Sequence, residues 1–352
     1  MKPLDTFLSK LARVAPRSAA KRAGTAVSVD IAATIDQALA SAGLIARPDA
    51  GSVVASMARG VSLDRHFKNA AGARAYTLYI PPGLDATVCA PLVVMLHGCT
   101  QNSADFAAGT RMNVLADKFG VRVAYPDQTS RENAGSCWNW FRSEDQRRDS
   151  GEPSILAGIV ADIAANVSVD PKRVYVAGLS AGAAMAVILG RTYPDVFAGV
   201  GAHSGLPFAA ATDMAGAFAA MQGRGVAAAN PAATRTVAQV RGARTIPTIV
   251  FHGDADRTVN VSNGRAIVED TVHAPGSEAA LKVRSVQSEV AGRSYTRETH
   301  TDPTGTALVE FWRVHGAGHT WSGGDAAGSH VDTGGPDASA EMLRFFLEHA
   351  KA

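Results

Sequence analysis

The stretch Val174-Tyr175-Val176-Ala177-Gly178-Leu179-Ser180-Ala181-Gly182 joins an apolar, β-branched run to a tight turn, and an alanine-rich helical pattern follows from Ala183 to Leu189. A strand that passes straight into a helix through two glycines predicts a sharp bend, because glycine accepts backbone approaches that a Cβ would block. A serine at such a bend stands exposed at the carboxyl end of its strand, poised as a nucleophile. The pattern Gly-x-Ser-x-Gly is weak by itself, so the surrounding segments decide what the turn is for.

Working outward, apolar runs alternate with helical spacing. Arg74 to Ile80 reads as a strand ending at the turn Pro81-Pro82-Gly83. Pro91 to Leu96 is a continuous apolar run of the kind buried in a parallel sheet. Ala104 to Phe119 reads as a helix, Val121 to Tyr125 as a strand, Arg131 to Gly151 as a loop, and Ser154 to Val167 as a helix. Beyond the serine turn the helix runs to Tyr193 and a strand covers Phe197 to Ala202. Residues 203–245 are alanine-rich and poor in strand pattern, which predicts a helical cap or lid-like insertion above the sheet. Thr245 to Phe251 is another buried strand, followed by a helix near Asn263 to Val272. Ser294 to His300 and Ala307 to Val314 read as a strand pair, and Glu341 to His349 as a closing helix. The expected class is α/β, with a mostly parallel central sheet covered by helices on both faces over residues 59–352.

Residues 1–58 are of another kind. Leu4, Phe7, Leu8, Leu11 and Val14 fall at helical spacing, and residues 2–22 carry six Lys or Arg against Asp5. A second helical pattern (Ile31, Ile35, Leu39) ends at Gly43. The expectation is a basic, helical N-terminal extension, either solvated, packed on the main domain, or docked on an anionic or lipid surface. A length of 352 residues, 46% hydrophobic and 19% charged, is ordinary globular composition. A net charge of +2 with no basic–aromatic array argues against nucleic-acid binding. No apolar run reaches a membrane-spanning length. No apolar leader segment is recognisable, so the expected location is cytoplasmic. Three cysteines (Cys89, Cys99, Cys137) lack zinc spacing, and no metal or cofactor is expected.

A serine hydroxyl needs a base to take its proton, and the base needs an orienting carboxylate. In a strand–turn–helix architecture these follow the serine in the order carboxylate, then histidine. After the strand ending at Phe251 comes His252-Gly253-Asp254-Ala255-Asp256-Arg257-Thr258-Val259, where Asp254 and Asp256 compete for the orienting role. After the strand ending at Val314 comes His315-Gly316-Ala317-Gly318-His319-Thr320-Trp321, where His315 and His319 compete for the base. His203 and His252 end strands and are read as hydrogen-bonding loop carbonyls. An oxyanion needs two backbone N–H donors. Ala181, next to the nucleophile, supplies one. The segment His97-Gly98-Cys99-Thr100-Gln101 follows the strand Pro91 to Leu96, and the Cys99 N–H supplies the other.

These motifs, together with Cys137-Trp138-Asn139-Trp140-Phe141 and Gly318-His319-Thr320-Trp321-Ser322-Gly323-Gly324, resemble the polyhydroxybutyrate (PHB) depolymerase family of esterases. The resemblance extends over about residues 63–348 and follows the type-one motif order. Feruloyl and acetylxylan esterases are related to that family. The resemblance implies an α/β-hydrolase fold, Ser180 as nucleophile, Asp256 as orienter and His319 as base, with Asp254 and His315 in supporting roles. It implies a serine esterase acting through an acyl-enzyme on poly- or oligo-(3-hydroxybutyrate). A feruloyl, acetylxylan or other short-chain esterase is the alternative. An acyltransferase or a non-catalytic granule-associated protein are readings of other classes.

The resemblance also implies that Cys99 and Cys137 lie close enough for a disulfide, with free thiols as the competing state. Trp138, Trp140 and Trp321 are candidates to line a groove for an extended ester, with core packing as the alternative. Extracellular members of the family carry a leader and a polymer-binding domain. Neither is recognised in this sequence, so the expected likeness is to intracellular members acting on amorphous granules or oligomers. The basic N-terminal helix is then the candidate granule contact. An extracellular or periplasmic location is the alternative.

Overall fold

The computed structural model describes residues 60–224, 245–274 and 281–351. The expected N-terminal extension and residues 225–244 of the expected cap lie outside the described residues. Ten strands form one sheet: β1 (Val61–Asn69), β2 (Gly72–Ile80), β3 (Ala90–Leu96), β4 (Arg122–Pro126), β5 (Val169–Leu179), β6 (Gly199–His203), β7 (Thr248–Gly253), β8 (Lys282–Val290), β9 (Arg293–Thr301) and β10 (Ala307–Val314). Their spatial order is β1-β2-β4-β3-β5-β6-β7-β10-β9-β8. The six strands from β4 to β10 run parallel. Antiparallel pairs complete both edges. The α/β class with a mostly parallel sheet is borne out.

The parallel strands are apolar on both faces because both faces are covered. Leu92, Val94, Leu96, Val174 and Val176 point to one core. There they meet helices α3 (Gly151–Asn166), α4 (Ala181–Thr192) and α6 (Ser262–Val272) through residues such as Ile159, Leu189 and Ile267. The alternate residues Val93, Met95, Tyr175 and Ala177 point to a second core. That core is closed by α1 (Ser103–Thr110), α2 (Met112–Phe119) and α7 (Ala338–Leu347) through Phe106, Met112, Met342 and Phe346. A short helix, α5 (Met214–Met221), follows β6.

Three features depart from the sequence reading. The segment Ala104 to Phe119 is two helices, broken where Arg111 takes a left-handed φ of 52°. The break carries the Arg111 guanidinium to Asp337 Oδ2 (3.0 Å) and the Gly323 carbonyl (3.2 Å), contacts that no local spacing announces. Strands β1 and β8 have no assignment in the sequence reading. β8 is exposed along nearly its whole length, so it needs no apolar alternation. The last two strands, β11 (Trp321–Ser322) and β12 (Val331–Asp332), form a two-stranded pair beyond β10.

Candidate active site

The carboxyl ends of β3, β5, β6, β7 and β10 carry the candidate residues. At the β5–α4 junction Ser180 adopts φ 58° and ψ −118°, a region that non-glycine residues enter at a cost. The strain is held by close packing. A Cβ on Gly178 would lie 2.6 Å from the Leu96 carbonyl oxygen, and one on Gly182 would meet the same oxygen still closer. The Ser180 N–H donates to the His203 carbonyl at 2.9 Å. Any larger residue at either glycine pushes β5 and α4 away from β3.

Asp256 lies in the turn after β7, its side chain fully buried. Its Oδ1 accepts the N–H groups of Thr258 (2.8 Å) and Val259 (2.9 Å). Its Oδ2 lies 2.7 Å from His319 Nδ1. His252 Nε2 lies 2.9 Å from the Val259 carbonyl and 3.5 Å from the same Oδ2. Burial alone would raise the Asp256 pKa, but the His252 and His319 side chains and the Val259 N–H hold it well below the usual carboxylate range. A persistent charge here keeps the His319 proton on Nδ1 and leaves the Nε2 lone pair available.

The competing pair is also formed, but separately. His315 Nδ1 lies 2.7 Å from Asp254 Oδ2, and Asp254 Oδ1 accepts the Gly316 N–H at 2.7 Å. His315 Nε2 faces Thr296 Oγ1 at 2.9 Å, so both of its nitrogens are occupied. This pair braces the turn that leads to His319. The backbones close in the same way, with Asp254 N donating to the Val314 carbonyl and Ala255 N to the Ala317 carbonyl, each at 3.1 Å.

The loop after β3 is held from three sides. Gly98 N donates to Gln101 Oε1 at 3.0 Å, and Gln101 reaches across to Ser329. Thr100, at φ 66°, donates its N–H to the Gly135 carbonyl at 2.8 Å. Cys99 and Cys137 are disulfide-bonded across 38 residues of sequence. Neither the Cys99 N–H nor the Ala181 N–H has an acceptor among the described residues. An oxyanion hole requires two backbone donors left unpaired in this way.

The tryptophans pack inward. Trp138 is buried against His97 and donates Nε1–H to the His97 carbonyl at 3.1 Å. Trp321 is buried between Phe106 and His203 and donates to Ser339 Oγ at 3.1 Å. Trp140 is 6% exposed and packs edge-on against Phe141. Their faces are taken by protein, so they act as wedges under the loops, in contrast to the open groove considered from sequence. No group of three or more His, Cys, Asp or Glu among the described residues is arranged to hold a metal ion.

A buried polar network beneath the 127–151 segment escaped the sequence reading, which gives Arg131 to Gly151 as a loop. Glu152 accepts from Arg74 (3.1 Å), the Asn139 N–H (2.7 Å), Asn139 Nδ2 (2.8 Å) and Gln128. Gln128 in turn donates its N–H to His97 Nε2 at 3.0 Å, linking the network to the loop after β3. Asp145, 3% exposed, accepts the Glu152 N–H at 2.6 Å. Burial and the Glu152 charge push its pKa up to about 7. A carboxyl raised above its unfolded value loses stability as pH rises between the two values. Asp145→Asn keeps the acceptor without the charge. It is expected to raise Tm by a few degrees at about pH 8, with the gain shrinking towards about pH 4. A pH-independent Tm difference in thermal melts would contradict this.

The family model described as Esterase PHB depolymerase matches residues 74–290, more than half of the chain. The chain belongs to this family. It is 38% identical over 247 residues to the poly(3-hydroxyalkanoate) depolymerase C of Paucimonas lemoignei, covering 68% of this chain and 57% of the relative. It is 29% identical over 256 residues to the poly(3-hydroxybutyrate) depolymerase of Ralstonia pickettii, covering 66% and 48%. The chain thus spans about half the length of these relatives. The acetyl xylan esterase from Aspergillus awamori superposes with a TM-score of 0.62 at 18% identity, over 83% of this chain and 100% of that one, which identifies the shared fold. The family match takes in Ser180 and Asp256 and stops short of His319. No helix among the described residues is long and apolar enough to cross a membrane.

Proposed function

We propose that the chain is a serine esterase in which Ser180 is the nucleophile, His319 the base and Asp256 the orienting carboxylate. The observation that carries this reading is the buried Asp256 carboxylate 2.7 Å from His319, at the same carboxyl end of the sheet as the strained Ser180 turn. Ser180 Oγ attacks the ester carbonyl as His319 Nε2 takes its proton. The carbonyl oxygen gathers negative charge and is held by the N–H groups of Cys99 and Ala181. The proton then passes from His319 to the departing alkoxide, leaving an acyl-Ser180 ester. Water, deprotonated by His319, attacks the acyl carbon, and Ser180 leaves with its proton restored. Each oxyanion donor contributes about 3–4 kcal/mol to such a transition state.

The substrate we propose is poly- or oligo-(3-hydroxybutyrate), on the strength of the two depolymerase relatives. The test compares turnover of 3-hydroxybutyrate oligomers with that of feruloyl and acetyl esters, using Ser180→Ala as control. Faster turnover of feruloyl or acetyl esters would move the assignment to the related esterases. Residues 1–58 are proposed as a granule contact, and unchanged granule co-sedimentation after their deletion would remove that role.

The Cys99–Cys137 bond favours the oxidising periplasmic or extracellular alternative over the cytoplasm. Three free thiols on denatured, unreduced protein would overturn both the bond and that location. By the chain-entropy model, closing a loop of this size stabilises the fold by about 4 kcal/mol. Cys137→Ser is therefore expected to lower Tm by about 5 °C. It is also expected to lower kcat roughly tenfold by loosening the Cys99 N–H, and unchanged melts and rates would count against the brace.

A further inference from the structure

His203 ends β6 and is 1% exposed. Its backbone and its ring hold two different parts of the site. The His203 carbonyl accepts the Ser180 N–H at 2.9 Å. Its Nε2 accepts the Ser322 N–H at 3.1 Å, three residues beyond His319. An accepting Nε2 requires the ring proton on Nδ1, and Nδ1 lies 3.2 Å from Ser204 Oγ, which receives that proton in a hydrogen bond. The ring is stacked between Phe251 (centroids 5.7 Å apart, 18° between planes) and Trp321 (5.1 Å, 27°), which restrains it from exchanging its nitrogens. Burial, reinforced by the neighbouring His252 and His319, pushes its pKa down to about 3.

The site needs such a tie. The Asp256–His319 bond orients the imidazole, but both residues hang from β7 and β10, whereas Ser180 belongs to β5 and α4. The hydrogen bond from Ser322 to His203 joins the loop bearing the base to the strand end that holds the nucleophile's amide.

We propose that His203 is a positioning residue: as a neutral, Nδ1-protonated imidazole it fixes the His319 loop against the Ser180 turn and so sets the approach of base to nucleophile. The proposal rests on the reading of Ser180 as nucleophile and His319 as base. A base displaced by about 1 Å costs about 10²-fold in rate, and the loss falls on the chemical step.

The test uses the full chain and a soluble p-nitrophenyl ester of a short acid. His203→Leu fills the space without an acceptor, whereas His203→Gln offers Oε1 to the Ser322 N–H. The expected result is a kcat about 10²-fold lower for His203→Leu with KM within about threefold, and a kcat within about tenfold of the parent for His203→Gln. Equal losses in the two variants, a loss in KM alone, or no loss overturns the proposal. Nitrogen-15 NMR of the histidine-labelled parent protein reads the tautomer directly, even where a variant fails to fold. A protonated Nδ1 and a bare Nε2, unchanged between about pH 5 and about pH 9, are expected. A proton on Nε2, or titration in that range, overturns the proposal by itself. Activity retained in Ser180→Ala instead overturns the nucleophile assignment and the proposal with it.

Discussion

Ser180→Ala is expected to lower kcat for ester hydrolysis by about 10⁴-fold or more while the fold persists. The loss is large because alanine has no hydroxyl to take up the acyl group. The neighbouring Ser204 has its Oγ against His203 Nδ1, 3.2 Å away, on a different strand end. Folding survives because the substitution keeps the Cβ, the Ser180 N–H bond to the His203 carbonyl and the helix start at Ala181. The proposed oxyanion donors are backbone N–H groups that the substitution leaves in place, so substrate binding is expected to change little. Burst kinetics with a p-nitrophenyl ester check this, since the parent releases one equivalent of nitrophenol quickly and the variant none. A variant within about tenfold of the parent would exclude an acyl-Ser180 mechanism.

Asp256→Asn is expected to lower kcat by about 10³–10⁴-fold, against less than about tenfold for Asp254→Asn. The difference comes from how each carboxylate is held. Asp256 Oδ1 is pinned by the N–H groups of Thr258 and Val259, so the asparagine must keep its carbonyl oxygen there. Its amide nitrogen then replaces Oδ2 and points N–H at His319 Nδ1. The imidazole must move its proton to Nε2, where a lone pair is needed to accept from Ser180. Asp254→Asn disturbs His315 in the same manner, but His315 spends Nε2 on Thr296 and touches the chemistry only through the turn it braces. Kinetics of the two variants on one soluble ester separate the pairs, and equal losses would defeat the assignment. The depressed Asp256 pKa carries a further sign. The stability that this carboxylate contributes is present above its ordinary titration range and is lost only as pH falls through the lower folded value. Asp256→Asn is therefore expected to show a smaller drop in Tm on acidification than the parent.

Much of the architecture is readable along the chain because parallel strands buried on both faces must be apolar at every position. β3, β5 and β7 announce themselves in that way. The serine turn is readable because close approach to Leu96 admits only glycine at Gly178 and Gly182. The ordering of a carboxylate and a histidine after later strands follows from the same topology. Elements that bury little leave no such trace, and β8 is one: its polar residues face solvent on both sides. The break at Arg111 has neither glycine nor proline to mark it, since its cause is a guanidinium reaching Asp337, 226 residues away.

The residue pattern therefore determined the fold class, the serine turn and the short list of partners, because burial and backbone sterics act through local sequence. It left two aspartates against two histidines, and wedge against groove for the tryptophans. Tertiary structure sorted the aspartates and histidines into two separate pairs and packed the tryptophans inward. Asp254 and Asp256 differ by two positions in one turn, yet one meets His315 at the rim and the other meets His319 beneath the surface. His203 is the sharper case. Its spacing is that of any strand-ending histidine, and its place between Phe251 and Trp321, with Ser180 on its carbonyl and Ser322 on its ring, exists only once three strands and a distant loop have converged.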